Sequence, residues 1–365
     1  MSADLDVPIE RVSVSAYTIP TDRPEADGTF AWDSTTMVLV EIDAGGKHGI
    51  GFNYADLATA QLIKGYLAPV VTGMSACNVA ACWSAMVHAI RNLGRPGICS
   101  MAIAGVDIAL WDLKARALEL PLFTLLGPFR DAVPIYGSGG FTSYSERELT
   151  QQLAGWVAQG IPRVKMKIGR DPAADRARVA VARRAIGDAA ALFVDANGAY
   201  APKEALRQAA AFAQEGVSWF EEPVSSDHLA ELRFIREHTP TVDIAAGEYG
   251  YDRFYFRRML EAGAVDVLQA DVTRCAGVTG WLQAAALAHT FAIPFSAHCA
   301  PEIHAHVACA APAFRHAEYF HDHVRVAHLL FDGVPTPRDG CLRPDPTRPG
   351  LGLELKRKDA EQWAV

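Results

Sequence analysis

The feature that most constrains this chain is a rhythm that begins after Arg130. Short apolar runs alternate with Ala-, Arg- and Leu-rich segments such as Arg176 to Ala185 and Glu204 to Ala213. The runs are Val133 to Tyr136, Val164 to Ile168, Leu192 to Asp195, Trp219 to Glu221, Ile244 to Ala246, Val265 to Leu268, Ile293 to Ser296, and Tyr319 with Phe320. Runs this short, each followed by a segment long enough for a helix, predict strands joined by helical crossovers and therefore a parallel sheet. Eight such units predict a small (β/α) barrel. A doubly wound sheet would give the same alternation, and periodicity alone does not separate the two.

The segment before this rhythm is organised differently. Val12, Val14 and Ala16 alternate with serines, Met37 to Val40 with Ile42 form a second run, and Ala44-Gly45-Gly46-Lys47 leads into Ile50-Gly51-Phe52, which predicts a hairpin. The polar stretch from Thr21 to Asp33 reads as a loop able to close over a site. Ile103, Val106, Leu110, Leu113 and Ala117 recur at alternating steps of three and four, which predicts one apolar helix face. The expected organisation is an α+β domain over residues 1–128, a barrel over 129–328, and a Pro- and Gly-rich tail over 329–365 that packs back on the first domain.

Charge and composition remove several function classes. Lys plus Arg is 34 and Asp plus Glu is 42, a formal charge of −8, and no basic stretch stands out, so nucleic acid is not an expected partner. No run approaches the about 18 apolar residues of a membrane span. The first residues carry Asp4 and Asp6 and no basic or apolar leader, and the seven cysteines include no CxxC pair. The expectation is a cytoplasmic protein with reduced thiols and a small-molecule partner.

Polar groups stand at the ends of the apolar runs, where a buried strand would otherwise waste them. Lys165 and Lys167 alternate with Val164, Met166 and Ile168, so strand periodicity puts both ammonium groups on one face. Two buried like charges are costly unless anions meet them. Asp195 ends the third run, with Asn197 two residues on. Glu221 ends the fourth, Glu248 the fifth, Asp271 follows the sixth, His298 ends the seventh, and Glu318 opens the eighth. One functional group per strand end is how barrel active sites are assembled. Asp195, Glu221 and Glu248 offer three carboxylates on adjacent strands, an all-oxygen set that suits Mg²⁺ better than zinc. Lys165 and Lys167 then fall on one side of the metal and His298 on the other, with Asp271 placed to accept the imidazole N–H. Two bases across a metal suit removal of a proton alpha to a carboxylate, provided that a neighbouring ammonium and the metal lower the pKa of the lysine base.

This constellation resembles the enolase superfamily, and within it the mandelate racemase subgroup, over nearly the whole chain. Val164-Lys165-Met166-Lys167-Ile168-Gly169 is similar to the subgroup's Lys-x-Lys motif, and Val194-Asp195-Ala196-Asn197-Gly198, Phe220-Glu221-Glu222-Pro223 and Gly247-Glu248 are similar to its three metal-ligand segments. Val106-Asp107-Ile108-Ala109-Leu110-Trp111-Asp112-Leu113 resembles the segment that links its capping domain to its barrel. The resemblance implies an α/β fold, a modified (β/α)₇β TIM-like barrel under an N-terminal α+β capping domain. It also implies Lys167 as base, an Asp271–His298 dyad, Glu318 as a hydrogen-bond partner of the reacting substrate, and Mg²⁺.

Acid-sugar dehydratases are the subgroup members favoured by the polar stretch Thr21 to Asp33. Trp32 in that stretch and Tyr54 in the Phe52-Asn53-Tyr54 turn are expected to contact substrate, as are Asn197 and Lys165. The expected reaction is dehydration of an aldonate or aldarate to a 2-keto-3-deoxy acid. A racemase or epimerase of a 2-hydroxy acid would use the same residues, and a catalytically inactive binding protein is the distant alternative. A homo-oligomer is expected from the resemblance. Arg274 departs from the Lys frequent at that position. Cys275 and Cys299 read as packing residues, and His316, His321, His323 and His328 as barrel-end packing and substrate contacts rather than a metal site.

Overall fold

The computed structural model describes residues 7–365, so Asp4 and Asp6 lie outside the described residues. Strands β1 (Arg11–Ala26), β2 (Ala31–Ala44) and β3 (Lys47–Tyr54) form an antiparallel sheet in that order. The turn between β2 and β3 falls where the sequence places it. Ala44 pairs with Lys47, and Gly45 and Gly46 take φ values of +55° and +70°, the left-handed pair that a two-residue hairpin requires.

The stretch from Thr21 to Asp33 is not a loop. β1 continues through it to Ala26 and β2 begins at Ala31, making a long hairpin arm with a register shift between Pro20 and Glu25. Its polar character misled because its partners are polar groups of the second unit. Arg23 pairs with Glu148 at 2.5 Å, Thr142 N donates to Ala26 O, Ser143 Oγ to Pro24 O, and Arg325 to Pro20 O. The arm's tip reaches the barrel mouth: a Cβ on Gly28 would stand 2.5 Å from Ala196 O and 2.6 Å from Ile168 O.

The helix Ile98–Ala117 also differs from its expected single apolar face. It is buried almost all round, because it lies between β2–β3 and the barrel helix Gly277–Thr290. Its polar residues act as joints. Asp107 accepts from Thr279 N (2.9 Å) and Thr279 Oγ1 (2.7 Å) at the start of that barrel helix. Asp112 accepts from Ile50 N, Leu351 N and Arg116 Nε. Each buried carboxylate thereby meets the donors it needs.

Eight parallel strands close the barrel: β4 (Val133–Gly139), β5 (Arg163–Lys167), β6 (Ala191–Asp195), β7 (Val217–Glu221), β8 (Asp243–Ala246), β9 (Val267–Ala270), β10 (Phe295–Ala297) and β11 (Phe314–Phe320), with β11 pairing back onto β4. A helix follows each strand, and the last, His321–Leu330, leads into the tail. The sequence runs locate all eight strands, with one correction: β11 starts at Phe314, so Glu318 lies inside it rather than at its opening. Arg315 and His316 interrupt the apolar run and hide its first half.

Inward-facing side chains stack in layers. Tyr136, Phe193, Trp219, Ala245 and Val267 form one buried cluster, with the His316 ring 4.9–5.4 Å from the three aromatic centroids. Two residues further along the same strands stand Ser138, Asp195, Glu221 and Glu318. The tail touches both units. Cys341–Leu342 adds antiparallel to β4, Arg357 pairs with Glu41, and Val365 N donates to Ala16 O. All seven cysteines are free.

Candidate active site

Strand register sets the ring of functional groups at the carboxyl end of the barrel. Lys167 pairs in register with Asp195, and Asp195 with Glu221, so the three side chains enter one layer. Lys165 Nζ is buried and lies 2.6 Å from Glu221 Oε1, 2.8 Å from Glu318 Oε1 and 3.3 Å from Asp195 Oδ2. Lys167 Nζ donates to Asp195 Oδ2 at 2.5 Å and to Asn197 Oδ1 at 3.2 Å. Across the mouth, His298 Nδ1 faces Asp271 Oδ2 at 2.9 Å, and its Nε2 lies 3.4 Å from Glu248 Oε2 and 3.8 Å from Glu318 Oε2. Thr273 N and Oγ1 hold the other Asp271 oxygen.

Charge is unevenly shared among these groups. Burial alone would raise Asp195, but Lys167 and Lys165 outweigh it and hold the carboxyl down at about 2. Glu221 is pushed up to about 8, by burial and then by Asp195 beside it. Burial disfavours a charged His298, yet Glu248 and Glu318 facing it, aided by the Asp271 bond, raise its pKa above the ordinary value. Lys167 departs from expectation. Burial lowers it and Lys165 lowers it further, but the Asp195 carboxylate on its Nζ dominates the balance and raises it. The expected depression by a neighbouring ammonium is therefore reversed while Asp195 is paired to the lysine.

Asp195, Glu221 and Glu248 each bring a carboxylate oxygen within 4.8 Å of the others. Glu248 Oε2 is buried with no hydrogen-bond partner, an orphan that costs free energy unless a cation meets it. The donor set is all oxygen, with no thiolate or imidazole among the three, which fits a hard divalent ion.

Several contributors were not legible in the sequence. Ser138 Oγ donates to Glu318 Oε1 at 2.6 Å and Cys299 N donates to Glu318 Oε2 at 2.9 Å, fixing that carboxylate. Trp219 Nε1 donates to Glu221 Oε2 at 2.9 Å. Arg274 reaches Glu248 O (3.2 Å) and lies over the Tyr249 ring. Only the inward phase of β4 and β7 would have pointed to Ser138 and Trp219. Trp32 and Tyr54 lie in the seam between the two units. Trp32 donates to Glu25 Oε2 and packs edge-on against Phe141. Tyr54 stacks on His323 and its hydroxyl donates to Glu302 Oε1 at 3.4 Å. The four histidines divide among separate places: His316 in the aromatic layer, His323 under Tyr54, His321 beside Asp22, and His328 exposed on the last barrel helix.

Comparison with known proteins matches this arrangement. Residues 13–127 match the mandelate racemase / muconate lactonizing enzyme N-terminal domain, and residues 148–360 match the enolase C-terminal domain-like family. The chain is 32% identical to a 3,6-anhydro-alpha-L-galactonate cycloisomerase of Streptomyces coelicolor, over 98% of this chain and 99% of that protein. It is similar to a mandelate racemase/muconate lactonizing enzyme-like protein from Rubrobacter xylanophilus, with a TM-score of 0.96 and 55% identity over 98% of this chain and 100% of the other. It also superposes on the L-talarate/galactarate dehydratase of Salmonella typhimurium liganded with Mg and L-lyxarohydroxamate, with a TM-score of 0.91 and 28% identity over 100% and 95% of the two chains. The paired lysines, the three-carboxylate nest and the Asp271–His298 dyad thus sit on a chain that belongs to the enolase superfamily, in its mandelate racemase/muconate lactonizing enzyme group.

Proposed function

We propose that this enzyme dehydrates an acid sugar, an aldonate or aldarate, to a 2-keto-3-deoxy acid with Mg²⁺ as cofactor. The observation that carries the reading is the placement of two proton-transfer groups at opposite ends of one carboxylate row. Lys167 meets Asp195 at one end, and His298 meets Glu248 at the other. Asp195, Glu221 and Glu248 would hold the Mg²⁺, which supplies positive charge to the substrate carboxylate when bound.

This chain's residues account for the rest. Lys167, in the neutral form it can take once released from Asp195, takes the α-proton, and the C–H electron pair enters an enediolate. Lys165 offsets the charge that grows on its oxygens. The protonated imidazole of His298, held by Asp271, gives its proton to the 3-hydroxyl as the C3–O bond breaks and water leaves. The resulting enol takes up a proton at carbon 3 and gives its hydroxyl proton to solvent, which leaves the 2-keto acid. Glu318, fixed by Ser138 and Cys299 N, accepts a hydrogen bond from the reacting substrate. Trp32 and Tyr54 close the seam above the site, and Asn197 orients Lys167.

A polyhydroxylated substrate suits polar surroundings. A cavity of about 510 Å³ adjoins the site at Asn197 and Glu222; Ser225, Ser226, Asp227, Tyr249, Tyr251 and Asp252 line it, and neither Lys167, His298 nor the carboxylate nest does. The S. typhimurium relative is named a dehydratase of such acids. Isomerase chemistry is the second reading, favoured by the similarity to a cycloisomerase, and it would use the same two groups. A library of aldonates, aldarates and 2-hydroxy acids, incubated with Mg²⁺ in D₂O and followed by NMR, separates the two. A 2-keto-3-deoxy product is the expected result. α-Deuteration with inversion and no keto acid would overturn dehydration in favour of isomerisation.

A further inference from the structure

A second group of metal-ligating side chains lies at the rim of the barrel mouth, outside the Asp195–Glu221–Glu248 nest, where the hairpin arm crosses the end of β11. Asp22 and Glu25 come from β1, and His321 opens the helix after β11. One carboxylate oxygen of Asp22, one of Glu25 and a ring nitrogen of His321 lie within 4.8 Å of one another. His321 Nε2 stands 3.2 Å from both Asp22 oxygens, so the imidazole points at the carboxylate along its bisector. Glu25 is only 1% exposed. It keeps one oxygen on Trp32 Nε1, while the other, Oε1, is buried without a hydrogen-bond partner.

The charges nearby do not satisfy that oxygen. Asp322 adds a further carboxylate, and its cation, Arg325, binds Asp322 at 2.6 Å and Pro20 O. Arg23, the cation nearest in sequence, is turned to Glu148. A buried carboxylate facing other carboxylates is costly. A divalent ion would remove this cost. Two carboxylates and one imidazole are a zinc-type donor set with bond lengths of about 2.0–2.2 Å, and a small inward movement of the donor atoms would bring all three to one ion. Asp22 and His321 are partly exposed, which leaves a solvent path to the site.

We infer that Asp22, Glu25 and His321 form a second divalent-cation site, for an ion of the zinc class, that fastens the hairpin arm to the barrel. Its ligands are separate from Asp195, Glu221 and Glu248, and its imidazole distinguishes it from that all-oxygen nest. The arm carries Trp32, so the ion would fix the position of the indole over Phe141.

The test uses the full chain saturated with Mg²⁺ and titrated with Zn²⁺ by calorimetry, with Cu²⁺ as a spectroscopic probe. The expected result is one further ion per chain, with imidazole nitrogen coupling in the pulsed EPR spectrum of the Cu²⁺ form. His321→Asn should abolish that nitrogen coupling. His321→Asn and Asp22→Asn should each weaken Zn²⁺ by more than about tenfold, since even outer partners of a metal ligand are worth about that much. Glu25→Gln, which keeps the shape of the buried side chain, should weaken it as well. Absence of a further ion, or a further ion indifferent to all three substitutions, would overturn the inference. Circular dichroism of each variant separates lost ligation from lost fold.

Discussion

Two layers of the barrel interior, one pleat apart on the same strands, have opposite chemistry. The lower layer holds Tyr136, Phe193, Trp219 and His316, and the upper holds Ser138, Asp195, Glu221 and Glu318. Both layers are buried. The lower is filled by ring contacts, with Phe193 stacked on Trp219 at 5.4 Å, and its two titratable rings are neutral: burial drives the His316 pKa well below and the Tyr136 pKa well above the ordinary value. The upper layer is filled by charges that hold one another: each oxygen of Asp195, Glu221 and Glu318 meets a donor, and the oxygen left without one, Glu248 Oε2, stands beside the layer. The lower layer supplies packing free energy. The upper layer gathers charge where substrate and metal would use it, and rests on the lower one through Trp219 Nε1 on Glu221 and Lys165 above the Tyr136 ring.

If that division is right, substitutions one pleat apart should separate activity from stability. The largest effect is expected for Lys167→Ala and His298→Asn. Each should lower kcat by on the order of 10²–10⁴-fold, the usual contribution of a general acid or base. Their thermal transitions should move much less than that of Trp219→Ala. Turnover that survives either substitution would break the assignment of both bases.

Removing the metal should act on the upper layer alone. Dialysis against EDTA is expected to abolish turnover, and Mg²⁺ to restore it. Glu248→Gln should raise the Mg²⁺ concentration needed for half-maximal rate, because the substitution takes the orphaned oxygen out of the nest. Unchanged activity in EDTA would remove the cofactor from the mechanism.

In the lower layer, Trp219→Ala should cost about 3–5 kcal/mol in denaturant unfolding. Trp219→Phe sharpens the contrast. It keeps an aromatic ring but deletes the donor to Glu221 and part of the indole's volume, so its cost should fall between about 1 kcal/mol and that of the Ala variant. A shift in Mg²⁺ affinity in the Phe variant would demonstrate the coupling between layers.

The smallest effect is a slope. His316 is neutral in the fold because burial lowers its pKa, and it protonates near its ordinary value once unfolded. The unfolded chain therefore binds more protons as pH falls below about 6.5, and folding stability is lost in that direction. His306, lowered to about 4 by burial, acts with the same sign. His316→Phe should remove up to about 1.4 kcal/mol per pH unit of that slope below pH 6.5. An identical pH profile in the variant would mean that His316 is charged in the fold.

The eight strand positions and the ring of groups at their ends were readable from the chain because each depends on local order. An apolar run of strand length followed by a helical segment locates a strand, and period two decides which residues share its inner face. That is why Lys165 and Lys167 could be placed on one face of their strand, and Asp195 and Glu221 at the ends of theirs, before any coordinates. The hairpin arm was misread because its polar residues pair with Glu148, Ser143, Thr142 and Arg325, far along the chain. The helix Ile98–Ala117 looked amphipathic because the partners of Asp107 and Asp112 are equally remote.

The sequence by itself determined the eight strand–helix units, the order of their functional groups and their spacing, since these follow from periodicity along one unit after another, while closure into a barrel came with the pairing of β11 on β4. Tertiary structure alone decided what each group faces. It put Ser138 and the Cys299 amide on Glu318, left Glu248 Oε2 without a donor, turned Lys167 onto Asp195, and brought His321 to Asp22 across the seam. Protonation, orphaned oxygens and cation sites depend on distances between residues remote in the chain. Those distances exist only once the barrel has closed and the arm has been laid across it.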